Sequence, residues 1–372
     1  MRIIHTADLH LNSAMNANLD ERKASERKTE LLSNFERLAD CALQIGAEAI
    51  LIAGDLFDTK SITGKVGRTV LNVIISHPFV KFYYLKGNHD RDSFINFVRE
   101  QGEFPENLFT FGDEWTKYVL SQKGGRKTML YGAESQSTNM ADLVRSLSPD
   151  ENDINIVMLH GQENEYEKKN SAEVIPLSEL KNKGIDYLAL GHVHEYKYRP
   201  LDSRGSYCYP GCLEGRGFDE CGSHGFTVLD IDEKSGEIIA EYYEFAYRKL
   251  WHPICDVSSA KDSSDAVKIV RNVLEEQRIS EKDLLKIELT GEKPEDVYID
   301  EQYVLNAFKD DFYFVKIVNS VREQIDYRKY MDDESLKGWF VRLVQASDES
   351  EEDKAKIVRM GIDALAGEDI TG

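Results

Sequence analysis

No stretch of this 372-residue sequence approaches the roughly 18 to 20 consecutive apolar residues that a membrane span needs. A membrane-spanning helix is therefore not expected, and Met1-Arg2-Ile3-Ile4-His5 reads as the entry to a strand rather than as a signal peptide. The expected location is the cytoplasm. Basic charge is scarce as well: 46 lysines and arginines face 67 acidic residues, for a net charge of −21. Such a chain cannot hold nucleic acid by displacing counterions alone. Any such role would need bound divalent cations or a basic partner subunit to offset the charge. Cysteines number five, an odd count, and no two form a Cys-x-x-Cys pair. That argues against a disulfide framework and against a compact zinc site, even though Cys208, Cys212, Cys221 and His224 lie close together in sequence. These cysteines are expected to be unpaired, buried thiols. The sequence also lacks a Gly-x-Ser-x-Gly elbow, an internal repeat and a low-complexity tract. His5, His77 and His252 stand outside any motif and read as structural.

What is present, at 41% hydrophobic content, is an alternation of short apolar runs and amphipathic stretches. Ile3-Ile4, Ala49 to Ala53, Val80 to Leu85, Ile154 to Leu159 and Tyr187 to Leu190 have the continuous apolar character of strands buried on both faces. A helix is predicted over about Glu21 to Ile45, with Leu31, Leu32, Phe35, Leu38, Ala39, Ala42 and Leu43 on one stripe and Gly46 past its end. A second is predicted over about Gly64 to Ser76. With further strands near Met129 to Gly132, Phe226 to Ile231 and Ile238 to Phe245, residues 1–250 are expected to form an α/β domain, a layered β-sandwich flanked by helices. From Trp251 the order strand, helix, strand, helix, strand predicts a smaller α+β capping domain over 251–329, including a strand from Trp251 to Val257. A C-terminal helical segment over 330–372 comes last, its first helix expected to expose Leu336, Trp339, Phe340, Leu343 and Val344. The second offers Ile357, Val358, Met360, Ile362 and Leu365, and the pair either packs on the body or docks a partner.

Five short motifs each follow one of the apolar runs: Asp8-Leu9-His10, Gly54-Asp55, Gly87-Asn88-His89-Asp90, His160-Gly161 and Gly191-His192-Val193-His194. A side chain at a strand end is held rigidly, so several such ends along one sheet edge can aim at one point. Side chains in extended backbone repeat every second residue, so Asp8 and His10, two apart at a strand end, are expected to point the same way and grip one ion, as are His192 and His194. Asp55 can bridge two ions about 3.5 to 4 Å apart, Asn88 offers a neutral oxygen and His160 an imidazole nitrogen. Only two carboxylates, Asp8 and Asp55, among seven ligands would leave two divalent ions under-neutralised, which suits attraction of a phosphodiester. The mixed oxygen and nitrogen set accepts Mn²⁺, Fe²⁺, Zn²⁺ or Mg²⁺, the histidines making Mg²⁺ alone the least natural, and manganese is the expected metal. The glycines permit the close backbone approach that a crowded cluster requires.

On these motifs the chain resembles the calcineurin-type metallophosphoesterases and, within them, the SbcD-type DNA exonucleases of double-strand-break repair, a likeness continuing through Tyr209-Pro210-Gly211. The resemblance implies one ion held by Asp8, His10, Asp55 and His194 and another by Asp55, Asn88, His160 and His192. It places His89 over the scissile phosphate to steady the developing charge or protonate the leaving oxygen, with Asp90 orienting and charging it, while a metal-bridging hydroxide attacks in line without a covalent intermediate. It also implies DNA as substrate, an SbcC-type SMC-like ATPase partner and a homodimer. Where the family often carries a proline-containing stretch after Gly54-Asp55-Leu56-Phe57-Asp58, this chain has Thr59-Lys60-Ser61-Ile62. Arg91 and Arg216 are the expected phosphate contacts. A phosphatase or cyclic-nucleotide phosphodiesterase with the same metal core, and an ATPase adaptor with a weak metal site, are the alternatives.

Overall fold

The computed structural model describes residues 1–13, 15, 19–58, 62–102, 104–123, 125–134, 140–164, 174–294, 297–324 and 327–366. Thr59, Lys60 and Ser61 of the departure from the family pattern lie outside the described residues. The chain divides into two units, Met1–Trp251 and His252–Gly372.

The first unit begins with β1 (Arg2–Thr6), α1 (Glu21–Ile45), β2 (Ala49–Ala53), α2 (Gly64–Ser76), β3 (Lys81–Leu85), α3 (Ser93–Glu100) and β4 (Leu108–Thr110). It continues through β5 (Thr116–Ser121), β6 (Thr128–Gly132), α4 (Met140–Ser146), β7 (Ile154–His160), β8 (Gln162–Asn164), β9 (Val174–Pro176) and α5 (Leu177–Leu180). Then come β10 (Tyr187–Gly191), β11 (Lys197–Pro200), β12 (Ser206–Tyr209), β13 (Gly225–Ile231), β14 (Ile238–Glu244) and β15 (Leu250–Trp251). Two six-stranded sheets result, in the orders β14-β13-β1-β2-β3-β4 and β11-β12-β10-β7-β6-β5.

The continuous apolar runs are explained by burial on both faces, because successive side chains of one strand feed different cores. Ile3, Ala49, Leu51 and Tyr83 of the first sheet pack with Leu130, Ile156, Met158 and Ala189 of the second, forming the sandwich interior. Their neighbours Ile4, Ile50, Ile52 and Phe82 turn outward to Leu31, Phe35 and Leu38 of α1 and Val70 and Ile74 of α2. On the other side Val157, Leu159, Leu188 and Leu190 meet Val144 of α4 and Leu180 of α5. The result is a helix, sheet, sheet, helix layering.

Helix α1 starts where Asp20 accepts the Lys23 N–H and stops at Gly46, whose φ of 70° lets its N–H reach the Ala42 and Leu43 carbonyls. Leu43, expected on the buried stripe, is 46% exposed, about a hundred degrees round the helix from buried Ala42. Within the first sheet β1, β2, β3 and β4 run parallel. In the second, β6, β7, β10 and β12 do. The loops that carry the five motifs therefore leave the carboxyl ends of neighbouring strands, where open α/β sheets place ligands.

The second unit contains β16 (Ile254–Asp256), α6 (Ser263–Glu276), β17 (Leu284–Thr290), β18 (Glu292–Lys293), α7 (Glu301–Phe308), β19 (Phe314–Asn319), β20 (Arg322–Glu323), α8 (Leu336–Gln345) and α9 (Glu351–Ala366). The expected strand Trp251 to Val257 is broken into β15 and β16 around Pro253, which has no N–H to give a ladder. Central β17 pairs in parallel with β16 and β19. Helices α8 and α9 close on each other through Val341, Val344 and Val358, with Phe340 and Ile362 alongside. Phe340 and Val344 are thus not part of the exposed face; Leu336 (70%), Trp339 (67%) and Leu343 (73%) are. Among the described residues no helix is long and apolar enough to cross a membrane.

Candidate metal centre

The loops after β1 and β2 stay zipped beyond the sheet. Asp8 N–H donates to Gly54 O at 3.1 Å, His10 N–H to Asp55 O at 2.9 Å and Leu11 N–H to Leu56 O at 2.9 Å. This pairing holds Asp8, His10 and Asp55 at φ values of 52°, 45° and 50°, with His192 at 103°. The extended backbone expected to align Asp8 with His10, and His192 with His194, is therefore absent: Asp8, His10 and His192 sit in left-handed turns just past their strands. That conformation is costly for non-glycine residues, and such strain persists where the surroundings enforce it, most often at functional sites.

Two glycines make the crowding possible. A Cβ on Gly54, itself at φ 96°, would overlap His160 Nδ1, and one on Gly87 would overlap the Asp55 carboxylate.

Asp8, Asp55, Asn88, His160, His192, His10 and His194 are brought together. His10 Nε2 lies 3.1 Å from His194 Nε2 and 3.9 Å from Asp55 Oδ2. His160 Nε2 lies 2.8 Å from Asn88 Oδ1 and 3.4 Å from Asp55 Oδ2. His192 Nδ1 is 3.4 Å from Asn88 Oδ1, and its backbone N–H donates to both Asp8 oxygens at 3.0 and 2.9 Å. His194 thus joins Asp8 and His10, while His192 faces Asn88, so the two histidines of one motif serve different ends of the cluster. Ligand atoms of Asp8, His10 and His194, and of Asp8, Asp55 and His160, lie within 4.8 Å of one another.

The donor chemistry fits divalent cations. His160 Nδ1–H donates to Ala53 O at 2.9 Å, which leaves Nε2, turned toward the Asn88 and Asp55 oxygens, to hold either a proton or a cation. Two imidazole nitrogens 3.1 Å apart have the spacing of neighbouring ligands on an ion with bonds of ~2.1 Å. Buried acceptors facing acceptors are repulsive unless positive charge lies between them.

A proton is the other source of such charge, and the groups of the cluster shift one another's titration accordingly. Burial pushes the Asp8 carboxyl up, against the pull of His160 and His10. Burial acts likewise on Asp55, but the hydrogen bond and charge of His160 outweigh it and hold Asp55 well below the carboxylate range. Burial disfavours a charged His160, yet Asp55 raises it to about 9.

His89 is different: its side chain is 47% exposed, and its Nδ1 lies 3.4 Å from Asp58 Oδ1. The expected pairing of His89 with Asp90 is not found. Asp90 is fully buried and accepts N–H bonds from Leu56 (3.1 Å), Phe57 (2.9 Å) and Gly87 (3.0 Å), stapling the loop after β2 to the loop after β3. Burial, then the nearby Asp55 charge, raises its carboxyl to about 7 despite those bonds. Asp58 is the residue that sequence reasoning missed. It lies 3.2 Å from His10 Nδ1 without hydrogen-bond alignment, and accepts from Ser13 Oγ at 2.9 Å. The signal for it is its place in the run Gly54-Asp55-Leu56-Phe57-Asp58.

Of the two expected phosphate contacts, Arg91 is exposed beside the motif. Arg216 is instead occupied within the protein, 2.6 Å from Glu220 Oε1 and 3.6 Å from Asp58 Oδ1. Glu220, also missed, accepts from His194 Nδ1 at 2.8 Å. Cysteines do not join the metal-competent clusters found among the described residues. Cys208 and Cys212 are buried as expected, but Cys221 is exposed. His5 faces the Tyr187 hydroxyl, His77 Asp40 and His252 Glu288.

Comparison with known proteins agrees with this geometry. Over 286 residues the chain is 26% identical to the uncharacterized metallophosphoesterase YhaO of Bacillus subtilis, covering 75% of this chain and 68% of that protein. It is 23% identical over 343 residues to the DNA double-strand break repair protein Mre11 of Sulfolobus acidocaldarius, covering 87% and 85% of the two chains. With the SbcD component of the nuclease SbcCD of Staphylococcus epidermidis it shares 25% identity over 265 residues, 62% of this chain and 66% of that one. The calcineurin-like phosphoesterase family matches residues 1–196, a span that contains all seven converging side chains. This chain therefore belongs to the calcineurin-like phosphoesterases, a family of metal-dependent hydrolases.

Proposed function

We propose that the chain is a DNA nuclease, exonucleolytic in its main action, that hydrolyses phosphodiester bonds during DNA repair in the cytoplasm. The observation that carries this reading is a buried, converging ligand set beside one exposed imidazole, His89, in a chain whose named relatives include two DNA-repair or nuclease proteins. Asp8, His10, Asp55 and His194 would hold one ion and Asp55, Asn88, His160 and His192 the other, with Mn²⁺ the preferred metal. When bound, the ions would supply an acidified water and Lewis-acid neutralisation of the phosphodiester. With Nδ1–H turned to the Asp58 carboxylate, His89 would protonate the leaving oxygen from Nε2 only in its doubly protonated, imidazolium form. Asp90 keeps the Asn88-His89 loop against the Asp55 loop. Arg91 is the proposed phosphate contact, and the α+β part of the second unit the proposed grip on DNA.

The net charge of −21 leaves bound cations and a basic partner to supply the grip on DNA. We assign the partner role to an SbcC-type ATPase docking on the exposed Leu336, Trp339 and Leu343 of α8, with the nuclease acting as a homodimer. Parallel assays with Mn²⁺ on linear DNA, bis-p-nitrophenyl phosphate and a phosphomonoester test the reading. Turnover of DNA and the diester is expected; turnover of the monoester alone would make the chain a phosphatase.

A further inference from the structure

Glu220, Arg216, Cys212 and His224 lie outside the five motifs, yet they form a closed ring around one candidate ligand. His194 Nδ1 lies 2.8 Å from Glu220 Oε1, with Arg216 Nη2 3.3 Å from the same nitrogen; the carboxylate only accepts, which places the proton on Nδ1. The Glu220 backbone is fixed in turn, since His224 Nε2–H donates to Glu220 O at 2.8 Å. With that proton on Nε2, His224 Nδ1 accepts from the Cys212 thiol at 3.1 Å. The Cys212 backbone N–H returns to His194 O at 3.1 Å and closes the ring. Arg216 braces the same carboxylate through its backbone N–H at 2.8 Å and its guanidinium Nη2 at 2.6 Å. Glu220 is 8% exposed, so these bonds work without competition from bulk water.

We propose that Glu220 is a positioning residue that locks His194 in the tautomer with its proton on Nδ1, and that Arg216 serves this lock rather than the substrate. The proposal rests on the metal-dependent reading of the centre. With Nδ1–H committed to Glu220, the Nε2 lone pair of His194 is aimed at the Asp8 and His10 end of the cluster, which is 3.1 Å away at His10 Nε2. A carboxylate behind a histidine also makes that imidazole a stronger donor to a metal. At the other end His160 Nδ1 is fixed by a neutral group, the Ala53 carbonyl, at 2.9 Å. Because His194 faces Asp8 and His10 rather than Asn88, the lock acts on one end of the cluster.

Mn²⁺ titration calorimetry on the full chain, paired with ¹⁵N-histidine NMR, tests it. The unaltered chain is expected to bind two ions, and Glu220→Ala to weaken one of them by about 10- to 100-fold while the other stays within about threefold. Glu220→Gln preserves volume and can still accept a hydrogen bond without the charge, so a loss of about fivefold at the same site is expected. His194 should show the Nδ1–H tautomer in the unaltered chain and a mixture of tautomers in Glu220→Ala. Folded Glu220 variants that bind both ions with unaltered affinity would overturn the lock, as would equal weakening of both sites. Should Glu220→Ala fail to fold, Glu220→Gln alone decides by the same criterion. An unaltered chain that binds no Mn²⁺ would instead overturn the metal-dependent reading on which the lock rests.

Discussion

Two buried charged clusters in the first unit are built on opposite plans. Around Glu214, 2% exposed, every contact is complementary. Its carboxylate accepts from Arg27 Nη2 at 2.7 Å, Asn34 Nδ2 at 2.5 Å, and the backbone N–H groups of Tyr247 at 2.7 Å and Arg248 at 3.2 Å. Arg27 and Arg248 also share Glu30. Donors meet acceptors throughout, and the cluster ties α1 to the loop before β15. At the candidate metal centre carboxylates and imidazoles converge on a strained backbone with no arginine or lysine among the converging side chains. A self-neutralised cluster stabilises the fold by itself; a cluster of converging metal-ligand atoms is stabilised by something added to it.

That contrast can be tested at both ends. The largest effect is expected from His89→Ala, which should lower turnover by about 10²- to 10⁴-fold while both Mn²⁺ ions stay bound, as kinetics and metal analysis would show. Undiminished activity would remove His89 from the mechanism. Next, Arg27→Met should strip Glu214 of its main charge partner and cost about 3 to 5 kcal/mol in urea unfolding, with activity per folded molecule unchanged. A mild Arg27 phenotype would show that the closed cluster contributes less than its geometry implies.

A third cluster separates the two plans by pH. His5 is fully buried against Tyr187, and burial lowers its pKa from 6.5 to about 3. The unfolded chain then takes up this proton first, so the stability involved is present above pH 6.5 and is lost as pH falls toward 3. At most about 5 kcal/mol is at stake over that window, and His5→Gln should flatten the acid limb of the stability curve. The smallest effect should come from metal itself: Mn²⁺ at about a hundred times its Kd should stabilise the unaltered chain by about 2.7 kcal/mol, and chelation should reverse it. Arg27→Met should keep this gain, whereas Asp55→Asn should lose it.

Much of the site was legible because each ligand lies just beyond a strand that is apolar on both faces. Runs such as Ala49 to Ala53 and Ile154 to Leu159 announce rigid strands, and each leads straight into a metal-competent side chain, Asp55 or His160. The edge strands β5 and β11, and β12 beside β11, escape because they are short or half-exposed and carry no such run. Residues acting through others are harder to see. Asp58 stands within a motif, yet adjacency in sequence points to Asp90 as the partner of His89, and only the folded loops show that Asp58 is the carboxylate beside Nδ1. Glu220 sits 26 residues from His194, in a stretch with no periodicity to betray it. The left-handed turns at Asp8 and His10 could not be inferred from alternation, because they arise from pairing between two loops.

The centre draws Asp8, Asp55 and Asn88 from loops of one sheet and His160, His192 and His194 from the other. Neither half of the sandwich owns a complete ligand set, so occupancy of the centre becomes a gauge of how well the halves are registered. A slip of about an ångström between them would scatter the ligand atoms before any strand melted. For this architecture, loss of cation grip should be the earliest symptom of a loosening body, and no fragment holding one sheet alone can inherit the chemistry.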